Sequence, residues 1–199
     1  MLFIKTSFAR NILVALLLAL LSSCSTNLSD YQTNDSSQTT FDIKNYFNGK
    51  VHAWGMIQDR SKKVTRRFCV DIIGTWQVTN DQLARGELAE TFYFDDGEIT
   101  TRNWQLRQQA DGSYLGTAED VEGTASGSHQ GFAFHWQYYL QVPIGDANYQ
   151  FWLDDWMFQL DQRRVFNRTS MEKFGVTLAE ITIFFDNQPQ EESCQLSTN

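Results

Sequence analysis

The sequence predicts an all-β protein: an antiparallel up-and-down barrel of about eight to ten strands, preceded by a signal-peptide helix and a disordered tether. Three observations predict the barrel: apolar residues alternate with polar ones, turn signals separate the alternating runs, and aromatic residues make up 14% of the 199 residues. The strongest alternation runs from Phe132 to Val142, where six apolar side chains share one face. A hydrophobic content of 42% is sufficient for a buried core.

Residues 1–23 are predicted to be the signal peptide of a lipoprotein. Lys5 and Arg10 supply positive charge around the start of an uncharged apolar run of ten residues, which is too short to span a membrane. This run leads into Leu21-Ser22-Ser23-Cys24, which resembles the bacterial lipobox. Cys24 is therefore the predicted lipid attachment site, and multiple acyl chains on it would form a stable membrane anchor.

The segment 24–40 is predicted to be a lipidated, flexible tether. Fourteen of the sixteen residues from 25 to 40 are Ser, Thr, Asn, Gln or Asp, and only Leu28 and Tyr31 differ. Such a composition does not bury enough apolar surface to fold. Ser25 is not the Asp typical of inner-membrane retention in enteric bacteria, so the sequence predicts an outer-membrane lipoprotein that faces the periplasm.

The body of the chain, residues 41–187, is predicted to be a single barrel domain, and 188–199 a disordered tail. Turn signals such as Asn48-Gly49, Asp111-Gly112 and Ile144-Gly145-Asp146 separate ten alternating runs. The predicted strands are residues 47–57, 63–77, 87–94, 98–108, 113–119, 121–128, 131–142, 148–160, 163–170 and 175–185. Residues 167–173 could instead form a short helical turn.

Consecutive antiparallel strands joined by short turns favour a barrel or a sandwich. Closure into a barrel removes exposed strand edges, and this chain, with only two prolines, has few residues that would protect such edges. Eight to ten strands enclose a space that side chains can fill or that can hold one small ligand.

Four charged residues fall on strand faces that are otherwise apolar. The candidate interior residues are Arg66, Glu90, Arg102, Trp104, Trp136, Trp152, Asp154 and Trp156. An unpaired buried charge is costly, so the two acids and two bases are expected to pair with each other or with a ligand. One hypothesis is an interior that accepts an apolar chain and binds its polar end at Arg66 or Arg102. The other is a structural salt-bridge network that closes the barrel end.

Signals for catalysis, metals and cofactors are weak. The chain has no Gly-x-Ser-x-Gly elbow and no phosphate-binding loop, and its three His lack metal-ligand spacing, so no catalytic residue, metal or cofactor is predicted. An enzyme acting on lipid is kept as a weaker hypothesis. Cys69 and Cys194 remain after lipidation, and a disulfide between them is left open.

Several spaced motifs resemble a family of Gram-negative lipoproteins defined as a domain of unknown function. They include Asp59-Arg60, Gly74-Thr75-Trp76, Arg102-Asn103-Trp104, Asp154-Asp155-Trp156-Met157 and Asn167-Arg168. The resemblance covers about residues 41–186 and implies a lipocalin-like barrel. It implies no activity and no catalytic residues.

Two functional hypotheses follow. The first is a membrane-anchored, periplasm-facing lipoprotein whose barrel binds a small apolar or amphipathic molecule, such as a lipid or fatty acid. The alternative is a structural lipoprotein with a filled barrel that docks an envelope protein partner. A formal net charge of −8 excludes a basic surface for nucleic acid as a general feature.

Overall fold

The computed structural model describes residues 26–32 and 40–188. A 3₁₀ helix, Leu28–Tyr31, and a short α-helix, α1 (Ile43–Tyr46), precede the strands. The strands are β1 (Gly49–Asp59), β2 (Val64–Val78), β3 (Ala84–Phe94), β4 (Ile99–Gln108), β5 (Tyr114–Thr117), β6 (Val121–Gln130), β7 (Ala133–Ile144), β8 (Ala147–Gln159), β9 (Arg164–Lys173) and β10 (Val176–Asp186).

Each strand pairs antiparallel with the next along the chain, and β1 also pairs with β10, which closes the barrel. The predicted all-β, up-and-down barrel is therefore confirmed, and its ten strands match the upper end of the expected number. Residues 167–173 belong to strand β9 and do not form a helical turn. Because all ten strands have two partners, the sheet exposes no unpaired edge.

One end of the barrel is closed by a segment that we call the plug, residues 41–47. Phe41, Ile43 and Phe47 are all buried within the barrel core. The plug is also held by hydrogen bonds: Trp76 Nε1 donates to the Phe47 carbonyl over 3.1 Å, and the Tyr46 hydroxyl donates to the Arg163 carbonyl over 3.0 Å. We call this the closed end.

The 3₁₀ helix Leu28–Tyr31 packs on the outside of the barrel. The Tyr31 ring lies 5.4 Å from Phe132, 5.7 Å from Trp156 and 5.5 Å from Phe158, measured between ring centroids. Tyr31, one of the two apolar residues in the predicted tether, therefore contacts the barrel wall. The predicted signal peptide, Cys24 and residues 189–199 lie outside the described residues.

Cys69 lies on β2 between Phe68 and Val70, both of which face the interior, so its own side chain points outward. It is fully buried and forms a disulfide. The partner lies outside the described residues. Asp186, at the end of β10, pairs with His52 on β1, which in turn pairs with Asp71, two residues from Cys69. The eight residues from Asp186 to Cys194 can span about 27 Å, so Cys194 is within reach.

We expect Cys69 to be linked to Cys194 in the protein isolated from an oxidising compartment. Proteolysis of the full chain without reductant, followed by mass spectrometry, should yield one cross-linked peptide containing both residues. Dithiothreitol should separate it into two. A peptide linking Cys69 to Cys24 would contradict this pairing and would also mean that Cys24 carries no thioether-linked lipid.

Gly74 is the residue on which the plug depends most closely. A Cβ at this position would lie 1.6 Å from the carbonyl oxygen of Phe47, which is a backbone atom with little freedom to move. We therefore expect Gly74→Ala to displace the plug and to lower the free energy of unfolding by about 2–4 kcal/mol. Urea unfolding followed by circular dichroism measures this change. The neighbouring exposed Thr75→Ala should cost less than about 1 kcal/mol, and an equal cost for both variants would contradict the prediction.

Candidate functional site in the barrel interior

The barrel encloses a cavity of about 290 Å³. Ile43 and Phe47 of the plug line its floor at the closed end. At the opposite end, which we call the open end, the lining side chains of Ile57, Arg66 and Phe94 are half-buried. The cavity is therefore closed at one end and reaches solvent at the other.

Aromatic side chains form much of the cavity wall. The Trp104 ring lies 5.7 Å from Trp136 and 5.3 Å from Tyr138, in edge-on contacts typical of aromatic pairs. Trp136 fits because β6 carries Gly127 beside it, where a Cβ would lie 2.0 Å from the indole. A wall of this kind favours an apolar ligand. The sequence-predicted Trp104 and Trp136 both line the cavity.

Arg66 lies at the open end and is already paired with acidic side chains of the β3–β4 turn. Its Nε donates to Asp96 Oδ2 over 2.6 Å, and its Nη2 donates to Asp96 Oδ1 over 2.8 Å and to Glu98. The guanidinium also lies 3.6 Å from the centre of the Phe94 ring. Hydrogen bonding from Arg66 lowers the pKa of Asp96 to about 2.

Arg102 lies deeper and is also paired. Its Nε donates to both carboxylate oxygens of Asp120 over 3.0 and 2.9 Å, and its Nη2 donates to Asp120 Oδ2 over 2.6 Å. Its Nη1 lies 4.0 Å from Glu90 Oε2 on the neighbouring strand. Of the four predicted interior charges, the structure thus brings Glu90 and Arg102 together, and it leaves Arg66 at the rim with other partners.

The fourth interior charge is Asp155 rather than the predicted Asp154. Asp155 lines the cavity and is 8% exposed. Asn167 Nδ2 donates to the Asp155 carboxylate and, over 3.2 Å, to the Trp156 carbonyl. Thr169 Oγ1 donates to Asn167 Oδ1 over 3.2 Å. Asp155 therefore accepts a hydrogen bond from the uncharged Asn167 side chain, which Thr169 holds in place.

The predicted interior positions of Trp152, Asp154 and Trp156 are wrong. Leu153, Asp155 and Met157 line the cavity, so the alternate residues of β8 face outward. Asp154 accepts hydrogen bonds on the outer wall from Gln137 Nε2 over 2.9 Å and Trp156 Nε1 over 3.0 Å.

The outer side chains of β8 have partners of their own. Trp152 contacts Tyr139, with 4.9 Å between ring centroids. Trp156 stacks on His135 at 3.9 Å, and His135 Nε2 lies 2.6 Å from Asp154. Bulky aromatic residues on this face therefore pack against the neighbouring strand β7 and do not reach the core.

Burial shifts the pKa of two interior carboxyl groups upward. Burial raises the pKa of Glu90 to about 7, although Arg102 opposes the change and Asp120 and Asp155 add to it. Burial also raises the pKa of Asp155 to about 6, against the hydrogen bonds from Asn167 and Thr169. Glu90, Asp120 and Asp155 therefore influence one another electrostatically beside Arg102.

The described residues present no arrangement typical of a metal site: within 26–32 and 40–188, no three His, Cys, Asp or Glu side chains cluster so as to hold a metal ion. Over the same ranges, none of the helices has the length and apolar character needed to cross a membrane.

Comparison with known proteins agrees with this fold. A family model described as "Protein of unknown function (DUF3833)" matches residues 18–187. No curated protein matches the chain. Among solved structures, the S-type phycobiliprotein lyase CPES from Guillardia theta is similar, with a TM-score of 0.53 over 72% of this chain and 88% of the lyase, at 8% sequence identity. At this identity the likeness shows the fold alone.

We expect Glu90→Gln to stabilise the protein in a pH-dependent way. Because the pKa of Glu90 is higher in the folded protein than the ordinary value of 4.5, its contribution is most favourable below about pH 4.5 and is lost as the pH rises through about 7. At pH 8, removing the buried charge should therefore raise the free energy of unfolding by about 2–3 kcal/mol. Near pH 4.5 the difference should vanish.

Urea unfolding at the two pH values measures this effect. Glu87→Gln is the matched control, because Glu87 is on the same strand and is exposed. It should change the free energy of unfolding little at either pH. An effect of Glu90→Gln that is the same at both pH values would contradict the assignment of Glu90 as a buried, raised-pKa acid.

Proposed function

The chain belongs to the family of proteins of unknown function DUF3833, and we propose that its barrel binds a ligand in the interior. The proposed ligand is one small apolar or amphipathic, lipid-like molecule. The observation that carries this proposal is a cavity of about 290 Å³ with apolar and aromatic walls, a sealed floor and one opening. Its size lies near the lower limit of about 300 Å³ for ligand pockets, which suits one slender molecule.

The charges of the cavity favour a ligand whose polar end is neutral or basic. Arg102, the deepest cation, already donates three hydrogen bonds to Asp120 and faces Glu90 with its remaining nitrogen. A carboxylate or phosphate would have to displace Asp120 or approach Glu90 at unfavourable cost. A hydroxyl, amide or amine can instead donate to Glu90 or Asp155. This differs from the sequence-based hypothesis that Arg66 or Arg102 binds the polar end of the ligand.

We place this binding activity at the periplasmic face of the outer membrane. The lipobox at Leu21-Ser22-Ser23-Cys24 supports lipid attachment at Cys24, and Ser25 supports sorting to the outer membrane. A polar linker, residues 32–40, then joins the anchored segment to the barrel.

A second candidate function, docking of an envelope protein, is favoured by one observation. Apolar side chains project in or beside the turns of the open end: Phe174 is 94% exposed, Ile99 is 63% exposed and Ile144 is 53% exposed. Side chains of this kind at loop tips are typical of contact surfaces. In this alternative the same end that admits a ligand would receive the partner.

The experiment compares two tryptophan variants on one strand of the full chain. Ile183 lines the cavity, and its neighbour Thr182 points outward. Ile183→Trp should fill the cavity, whereas Thr182→Trp adds the same side chain outside it. Each protein is extracted from the bacterial envelope into polymer-bounded lipid discs without detergent, and bound small molecules are identified by mass spectrometry.

We expect one compound to accompany the wild type and Thr182→Trp and to be lost from Ile183→Trp, and we expect its polar group to be neutral or basic. An acidic lipid at that place would overturn the head-group argument and leave the binding function intact. No difference between the three proteins, with both variants folded by circular dichroism, would overturn ligand binding and favour the docking function.

A further inference from the structure

The contact between the 3₁₀ helix Leu28–Tyr31 and the barrel lies at the closed end. Phe132 is in the turn between β6 and β7, and Phe158 is the last residue but one of β8. The backbone N–H of Phe41, the first residue of the plug, donates to the carbonyl of Gly131 in that same turn over 2.8 Å. Tyr31 therefore attaches the N-terminal segment beside the plug, at the far end from the cavity opening.

The length of chain before this contact is short. Three residues, 25–27, separate Cys24 from Leu28. A fully extended chain over this interval covers about 14 Å. Acyl chains on Cys24 would therefore hold the closed end within that distance of the membrane surface, whereas a tether free as far as residue 40 would allow any orientation.

The surface around this contact carries apolar side chains suited to a lipid interface. Phe132 is 40% exposed and Leu160, in the turn between β8 and β9, is 59% exposed. Aromatic and aliphatic side chains with these positions at the end of a domain are typical of residues that enter the head-group region. The nearby arginines of the β8–β9 turn are balanced: Arg163 pairs with Asp186, and Arg164 pairs with Asp161. These two pairs therefore add no net charge at this part of the closed end.

We propose that the closed end of the barrel rests on the membrane that holds Cys24, with Phe132 and Leu160 at the level of the lipid head groups and the open end pointing away. The proposal rests on the lipid anchor of the proposed function. It fixes the direction in which the cavity opens: toward the periplasm and not toward the anchoring membrane.

The test uses the full lipidated chain in vesicles of phosphatidylethanolamine and phosphatidylglycerol that contain a lipid with a photoreactive diazirine near its head group. After irradiation, cross-linked peptides are identified by mass spectrometry. We expect cross-links in the turns that contain Phe132 and Leu160. We expect a several-fold lower yield at the open end, around Ile144 and Phe174.

Tyr31→Ala removes the ring that docks the segment, and the bias toward the closed end should then be lost. Tyr149→Ala is the control, because Tyr149 is an aromatic residue of the β7–β8 hairpin that is 41% exposed and lies near the open end. It should leave the pattern unchanged.

The mass of the N-terminal peptide is measured in the same samples. Absence of acyl chains on Cys24 would overturn the anchor and this proposal together. Acylated protein that cross-links through Ile144 and Phe174, or equally at both ends, would overturn the orientation alone and would leave ligand binding untouched.

Discussion

The pairing of β1 with β10 is the constraint on which the rest of the structure depends. His52 lies opposite Asp186, and this register continues to Asp59, so the closed sheet has an interior and an exterior face. In each strand, alternate residues then point into the barrel and the others point outward. The enclosed volume, the residues that line it and the charges that are forced into it all follow from this arrangement. This closure needs only short connections, because each strand is antiparallel to the next and is joined to it by a short turn.

Closure also explains the unusual chemistry of the interior. A strand that crosses the barrel with one face inward brings any charged residue on that face into a poorly solvated space, and the fold compensates locally. Arg102 receives Asp120 from the β5–β6 turn, while Asp155 is satisfied by the uncharged Asn167 and Thr169. The first solution pairs opposite charges, whereas the second gives the buried acid an uncharged donor.

Local patterns predicted the strands and the closure but not every face. Both faces of β8 carry apolar residues. The larger ones, Trp152 and Trp156, favour the prediction that their face is the interior one, whereas Leu153 and Met157 line the cavity. The two-residue turn Gly145-Asp146 held the missing information, because it pairs Ile144 with Ala147 and so places Asp155 opposite Trp136. The plug could not be predicted from periodicity, since a segment of seven residues is too short to establish a period. The docking of Tyr31 depends on β6, β7 and β8, which are distant in the sequence.

The plug has a mechanical consequence for any cargo. Because the plug closes one end of the barrel, the proposed ligand would enter and leave the cavity through the open end. The depth of the cavity, from Phe47 at the floor to Arg66 at the rim, would then select the length of the proposed ligand. A longer apolar chain would extend into water, and a shorter one would leave part of the apolar wall uncovered. In the proposed function, any exchange of ligand therefore takes place at the open end.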